Sequence, residues 1–139
     1  MFDDNLAYFE LKAGEELVVS WTAEDYLPRK EELSAEKRSF YLRSTILCPI
    51  TEENEKIARG KTAGAESDRE KAEMLFHYLV EQFTYVYPPK SRGAVDFLRD
   101  KKGDCGEYSF LYSALCRSLG IPCRTIVGSW SVGKMQAHV

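Results

Sequence analysis

The sequence is poor in histidine, with only His77 and His138 among its 139 residues. Chemistry that needs an imidazole therefore has two places to find one. The four cysteines, Cys48, Cys105, Cys116 and Cys123, contain no CxxC pair. Structural zinc sites are built from close ligand pairs, so no metal centre is expected. No run of about 18 apolar residues occurs, so no membrane-spanning helix is expected. There is no dense Lys/Arg stripe and the formal net charge is −3, which argues against a nucleic-acid partner. No acidic cluster has the spacing of a dedicated calcium loop. The opening MFDDNLAYFE is acidic where a secretion signal is basic. Internal repeats and low-complexity segments are also absent. What is present is an ordinary globular composition, 44% hydrophobic and 29% charged, long enough for one compact domain.

Residues 1–48 read as β structure. LAYFELK places Ala7, Phe9 and Leu11 on one face, LVVSW follows a turn-like AGEE, and SFYLRSTIL alternates apolar and polar residues. A charged connection, DYLPRKEELSAEKR, precedes that last segment. The period changes after Pro49. Thr51 is an N-cap for a helix over TEENEKIARG that Gly60 would end. Ser67 and Glu70 form a capping box for a longer helix, whose apolar face is Ala72, Leu75, Phe76, Leu79, Val80 and Phe83. His77 falls off that stripe and reads as a surface residue. FTYVY then runs into two prolines, and Ser91 is placed as the cap of a short helix, GAVDFLRD. A further helix is predicted over 105–119, ended by Gly120 with Pro122 behind it. Tyr108, Leu111, Tyr112, Leu115 and Leu119 make its buried face. RTIVGSW reads as a buried strand and MQAHV as the start of another.

One cysteine sits where chemistry is expected. With Asp104 as N-cap, Cys105 takes the first helical position, beside unpaired backbone N–H groups and the positive end of the helix dipole. That setting, together with an imidazolium, favours a thiolate, whereas the adjacent carboxylate opposes it. Asp104 is accordingly read as the helix cap, contributing about 1 kcal/mol. Gly106 removes a side chain beside the sulfur and would admit a substrate backbone. A nucleophilic cysteine needs a base, and His138, at the start of a strand, is better placed than mid-helix His77. Spacing alone leaves the other reading open: a buried thiol and a core histidine. Cys105 and Cys116 would lie about 16 Å apart along one helix, too far for a disulfide.

GDCGEYSFLYSALCRSLGIPCRTIVG followed by AHV resembles the core of the transglutaminase-like superfamily, block by block and in order. The likeness spans about residues 50–139, because IARGKTAGAESDREKAEMLFHYLVEQFTYVY is similar to the helical lead-in of these domains. It implies an α+β, papain-like fold, with N-terminal helices and an incomplete antiparallel sheet, over residues 49–139. Residues 1–48 are then the end of an upstream β domain or a linker. It further implies a Cys–His–Asp triad with Cys105 as nucleophile and His138 as base. The Asp that normally follows is absent before Val139, which suggests a fragment of a longer bacterial protein, weakly active or inactive as it stands. The backbone N–H of Cys105 matches an oxyanion donor. Tyr85 and Trp130 are aromatic candidates for a second, though packing is the readier reading of both. Cys116 and Cys123 are read as small core hydrophobes.

The activity implied is a thiol attack on a protein or peptide amide through a thioester, resolved by water as in a hydrolase or by an amine as in an acyltransferase. No cofactor is implied. The alternative is a non-catalytic interaction or structural module on the same fold. An exposed sheet edge could also promote self-association. The cellular compartment is left open, export of a longer protein included.

Overall fold

The computed structural model describes residues 10–18, 32–130 and 136–138, the last three and residues 129–130 by backbone alone. Five helices and four short strands are found among them: α1 (Ala35–Leu42), α2 (Glu52–Lys61), α3 (Asp68–Gln82), β1 (Thr84–Tyr85), α4 (Ala94–Asp100), β2 (Lys102–Gly103), α5 (Cys105–Ser118), β3 (Gly128–Trp130) and β4 (Gln136–His138). The class is α+β. β1 pairs with β2 in parallel, and β3 pairs with β4 antiparallel. Among the described residues the antiparallel pairing is the β3–β4 hairpin; the other pair runs parallel because α4 lies between its strands as a crossover.

α5 is the hub, and α1, α2, α3 and α4 all pack on it. Its buried positions Leu111, Ala114, Leu115 and Cys116 meet Ala58 of α2, Leu75 and Leu79 of α3, and Ala94, Phe97 and Leu98 of α4 in one core. Each fully buried leucine contributes about 2 kcal/mol through lost apolar surface. The caps that open these helices are local. Thr51 Oγ1 accepts from Asn54 N at 3.1 Å. Ser67 and Glu70 close the expected capping box. Gly120, at φ 78°, turns the chain out of α5, and Ile121 N donates back to Cys116 O at 3.0 Å.

Several expectations are corrected. SFYLRSTIL is not a strand: residues 39–42 end α1, and 43–47 carry no regular structure. Its alternation is outweighed by Ser34, whose hydroxyl accepts from Lys37 N at 3.2 Å and caps a helix that packs on α5. Residues 10–18 form a turn without strands, and the rest of LAYFELK and LVVSW lies outside the described residues. Gly60 sits inside α2, which runs to Lys61. Phe76 and Val80 are exposed, so the inward face of α3 is the narrower line of Leu75 and Leu79, continued by the C-cap Phe83. Ser91 does not cap α4. Gly93 does so without a side-chain bond, and the Ser91 hydroxyl donates to Asp100 Oδ2 at 3.1 Å. RTIVGSW becomes a strand only at Gly128, with Ile126 and Val127 exposed. His77 is exposed, as expected.

Candidate active site

Cys105 is the first residue of α5, with Asp104 as N-cap, as the sequence indicated. Asp104 Oδ1 accepts from Gly106 N at 2.8 Å, and Glu107 Oε2 accepts from Asp104 N at 3.2 Å. The helix start is therefore a complete capping box, which fixes the backbone on both sides of the sulfur. Cys105 itself is half-buried, reachable from solvent but held by a buried collar.

That collar is ionic. Asp104 is 3% and Glu107 1% exposed. Arg92 reaches in from the β1–α4 connection, with Nη1 at 3.2 Å from Asp104 Oδ2 and 3.4 Å from Glu107 Oε2. Burial alone would raise the Asp104 carboxyl; hydrogen bonds from Glu107 and the Gly106 N–H, with the Arg92 charge, overcome it and hold Asp104 below the usual carboxylate range. Glu107 goes the other way. Burial first, then its hydrogen bond to Asp104, pushes it up, and the Arg92 charge only partly offsets them. The two carboxyls share one site as a carboxylate and a more easily protonated acid.

Gly106 is buried, and a Cβ there would face Asp104 Oδ1 at 3.2 Å, Phe110 at 3.4 Å and Arg92 Nη1 at 3.5 Å. Its missing side chain makes room for the Arg92–Asp104 contact and not for open approach. Gly103 is tighter still. A Cβ there would lie 2.6 Å from Glu107 Cβ and 2.8 Å from Phe97 Cδ2.

The β1–β2 pairing brings Tyr85 to the same place. Tyr85 stands opposite Gly103, and Val86 N donates to Gly103 O at 2.8 Å. Tyr85 is 59% exposed, so the packing reading fails for it. Partial desolvation, then the nearby Cys105 and Asp104, push its hydroxyl up from the ordinary phenol value. Trp130, the other aromatic candidate, has its side chain outside the described residues. His138 is the last residue of β4, opposite Gly128 in the hairpin register. Its imidazole lies outside the described residues as well.

Arg92 and Glu107 were missed in the sequence. The D-x-x-E spacing of Asp104 and Glu107 is a capping-box signature and could have been read. Arg92 has no local signal, since its partners lie 12 and 15 residues away.

The arrangement is an accessible cysteine that opens a buried helix against a parallel strand pair in an α+β fold. A solved structure of a candidate cysteine protease from Cytophaga hutchinsonii has the same architecture, with a TM-score of 0.66 at 21% identity. The match covers 77% of this chain and 37% of that one, so the chain spans little more than a third of its neighbour's length. The profile of the transglutaminase-like superfamily matches residues 55–139, and the chain belongs to that superfamily. No curated protein sequence matches it. The family match and the neighbour agree on the fold.

Proposed function

We propose that the chain carries the nucleophile half of a thiol-dependent amide hydrolase or acyltransferase. Cys105 attacks the carbonyl carbon of a protein or peptide amide, the amine leaves, and the thioester is resolved by water or by a second amine. His138 is the base that takes the thiol proton and returns one to the leaving nitrogen. The Cys105 backbone N–H donates to the oxyanion, and the Tyr85 hydroxyl is the second donor. The observation that carries this reading is Cys105 at the capped, half-buried start of α5 within the family's match. Tyr85 is supported by its exposure and by a register that sets it beside Gly103.

Alkylation by iodoacetamide tests the nucleophile. Cys105 is expected to react at least about tenfold faster than buried Cys116, because only an accessible, activated thiol attacks readily. His138→Ala should slow Cys105 and leave the other thiols unchanged. Equal rates at Cys105 and Cys116 would remove the enzyme reading and favour a non-catalytic module. The division of the chain into a leading segment up to residue 48 and a core from residue 49 belongs to the same proposal.

A further inference from the structure

We propose that Cys116 and Cys123 form a reversible disulfide, with Cys123 as the thiol that meets a peroxide and Cys116 as the thiol that resolves it. The pair lies at the end of α5 opposite Cys105, about 16 Å away at 1.5 Å per residue, and is independent of that site.

The geometry comes from the turn after the helix. Gly120 reverses the chain, and residues 121–125 run back along the face that carries Ser113 and Cys116. Those two are one helical turn apart, so their side chains are neighbours. Cys123 Sγ lies 3.4 Å from Ser113 Oγ, and Ser113 is one turn along α5 from Cys116, so the returning segment carries Cys123 past the Cys116 side of the helix. Ser113 Oγ is also 3.1 Å from Thr125 Oγ1. The returning segment is pinned from both sides. Arg117 Nε and Nη2 donate to Cys123 O at 3.1 and 2.8 Å, and Cys123 N donates to Tyr41 O at 3.3 Å.

The roles follow from exposure and polarity. Cys116 is 1% exposed and Cys123 is half-buried, so only Cys123 is open to a small oxidant. The neighbouring Cys116 thiol, then Ser113 and the Arg117 charge, hold the Cys123 thiol below the usual range against the effect of burial. Cys123 beside it, with burial, pushes Cys116 up.

Hydrogen peroxide is the co-reactant. The Cys123 thiolate attacks one peroxide oxygen, an S–O bond forms, the O–O bond breaks, and hydroxide takes up a proton and leaves as water. Cys116 then attacks the Cys123 sulfur, the S–O bond breaks, and the Cys116 proton leaves with the hydroxyl as a second water. Two thiols and one peroxide yield one disulfide and two waters, and a dithiol reverses the change.

The test is peptide mapping of the Cys105→Ser chain after peroxide, catalase quench and alkylation of remaining thiols. Trypsin cuts after Arg117, so the two cysteines fall on separate peptides, residues 103–117 and 118–124. The expected result is one linked pair, separated by dithiothreitol. It should form at least about tenfold faster than in the same chain unfolded in urea, because the folded chain holds the sulfurs together. In Cys105→Ser/Cys116→Ser, a dimedone adduct should appear on peptide 118–124 instead. Recovery of that peptide unlinked from folded Cys105→Ser protein would overturn the proposal. So would linkage to Cys48 or to a second chain, or a rate no faster than in urea.

Discussion

Replacing Arg92 with alanine leaves two buried carboxyls without the cation that faces them. Nη1 lies 3.2 and 3.4 Å from the nearest carboxylate oxygens. At that separation a unit pair is worth about 1 kcal/mol in water and about 5 at the effective dielectric of a protein surface pair. The Arg92 side chain is 58% exposed, so solvent screens it and the value falls toward the lower end. Losing one such interaction should cost about 2 kcal/mol at the acid end of the range. The cost should grow as Glu107 ionises and a second buried anion is stranded. For a chain of this size 2 kcal/mol lowers Tm by roughly 6–10 °C. Glu107→Gln keeps an acceptor for Asp104 N but cannot ionise, so in that background the Arg92→Ala cost should be independent of pH. Urea denaturation of the four proteins between pH 5 and 8 reads this directly. An Arg92→Ala cost below about 0.5 kcal/mol, typical of an unimportant surface pair, would refute the reasoning. A pH-dependent cost in the Glu107→Gln background would do the same.

Other outcomes follow from the same geometry. In the unmutated chain Glu107 is raised above its usual 4.5, so above that pH the folded state binds more protons than the unfolded one. Its contribution to stability is complete below pH 4.5 and is lost as pH rises through the folded value. Asp104 is held below its usual 3.8, so its contribution is lost as pH falls beneath that value; Glu107→Gln should abolish the first slope and spare the second. Gly103→Ala forces a Cβ to within 2.6 Å of Glu107 Cβ and should cost about 1–3 kcal/mol by overpacking, measured as a lower urea midpoint. Gly106→Ala, with 3.2 Å to its nearest neighbour, should cost less. Tyr85→Phe should lower acylation of Cys105 by about a hundredfold, the scale of one lost oxyanion donor, while leaving iodoacetamide alkylation unchanged.

The parts of the fold legible in the sequence are those that neighbours in the chain decide. Thr51, Ser67 with Glu70, Asp104 and Gly120 each act on a residue within a few positions, and each does what its type predicts. The failures share the opposite cause. SFYLRSTIL alternates like a strand, yet packing of α1 on α5 decides its state, and no local pattern records that contact. Phe76 and Val80 fit the helical period as well as Leu75 does, but α5 covers only one side of α3. At the site, Cys105 was visible because a helix cap announces it. Arg92 was not, because it reaches the Asp104–Glu107 cap from 12 and 15 residues away, and Tyr85, named only as one aromatic candidate, owes its place opposite Gly103 to the parallel strand pair. Cys123 looked like a core hydrophobe; Ser113 and Arg117 give it a polar setting only once the chain has turned at Gly120.

The central claim is that Cys105 forms a thioester, and trapping that intermediate tests it most directly. The chain would be mixed with an activated ester such as p-nitrophenyl acetate, quenched in acid, digested with trypsin and mapped by mass. The account predicts an acetyl group on Cys105 in peptide 103–117, removed by hydroxylamine, absent in Cys105→Ser and formed more slowly in His138→Ala. Acetylation spread evenly over the accessible thiols, or equally fast in the urea-unfolded chain, would contradict it.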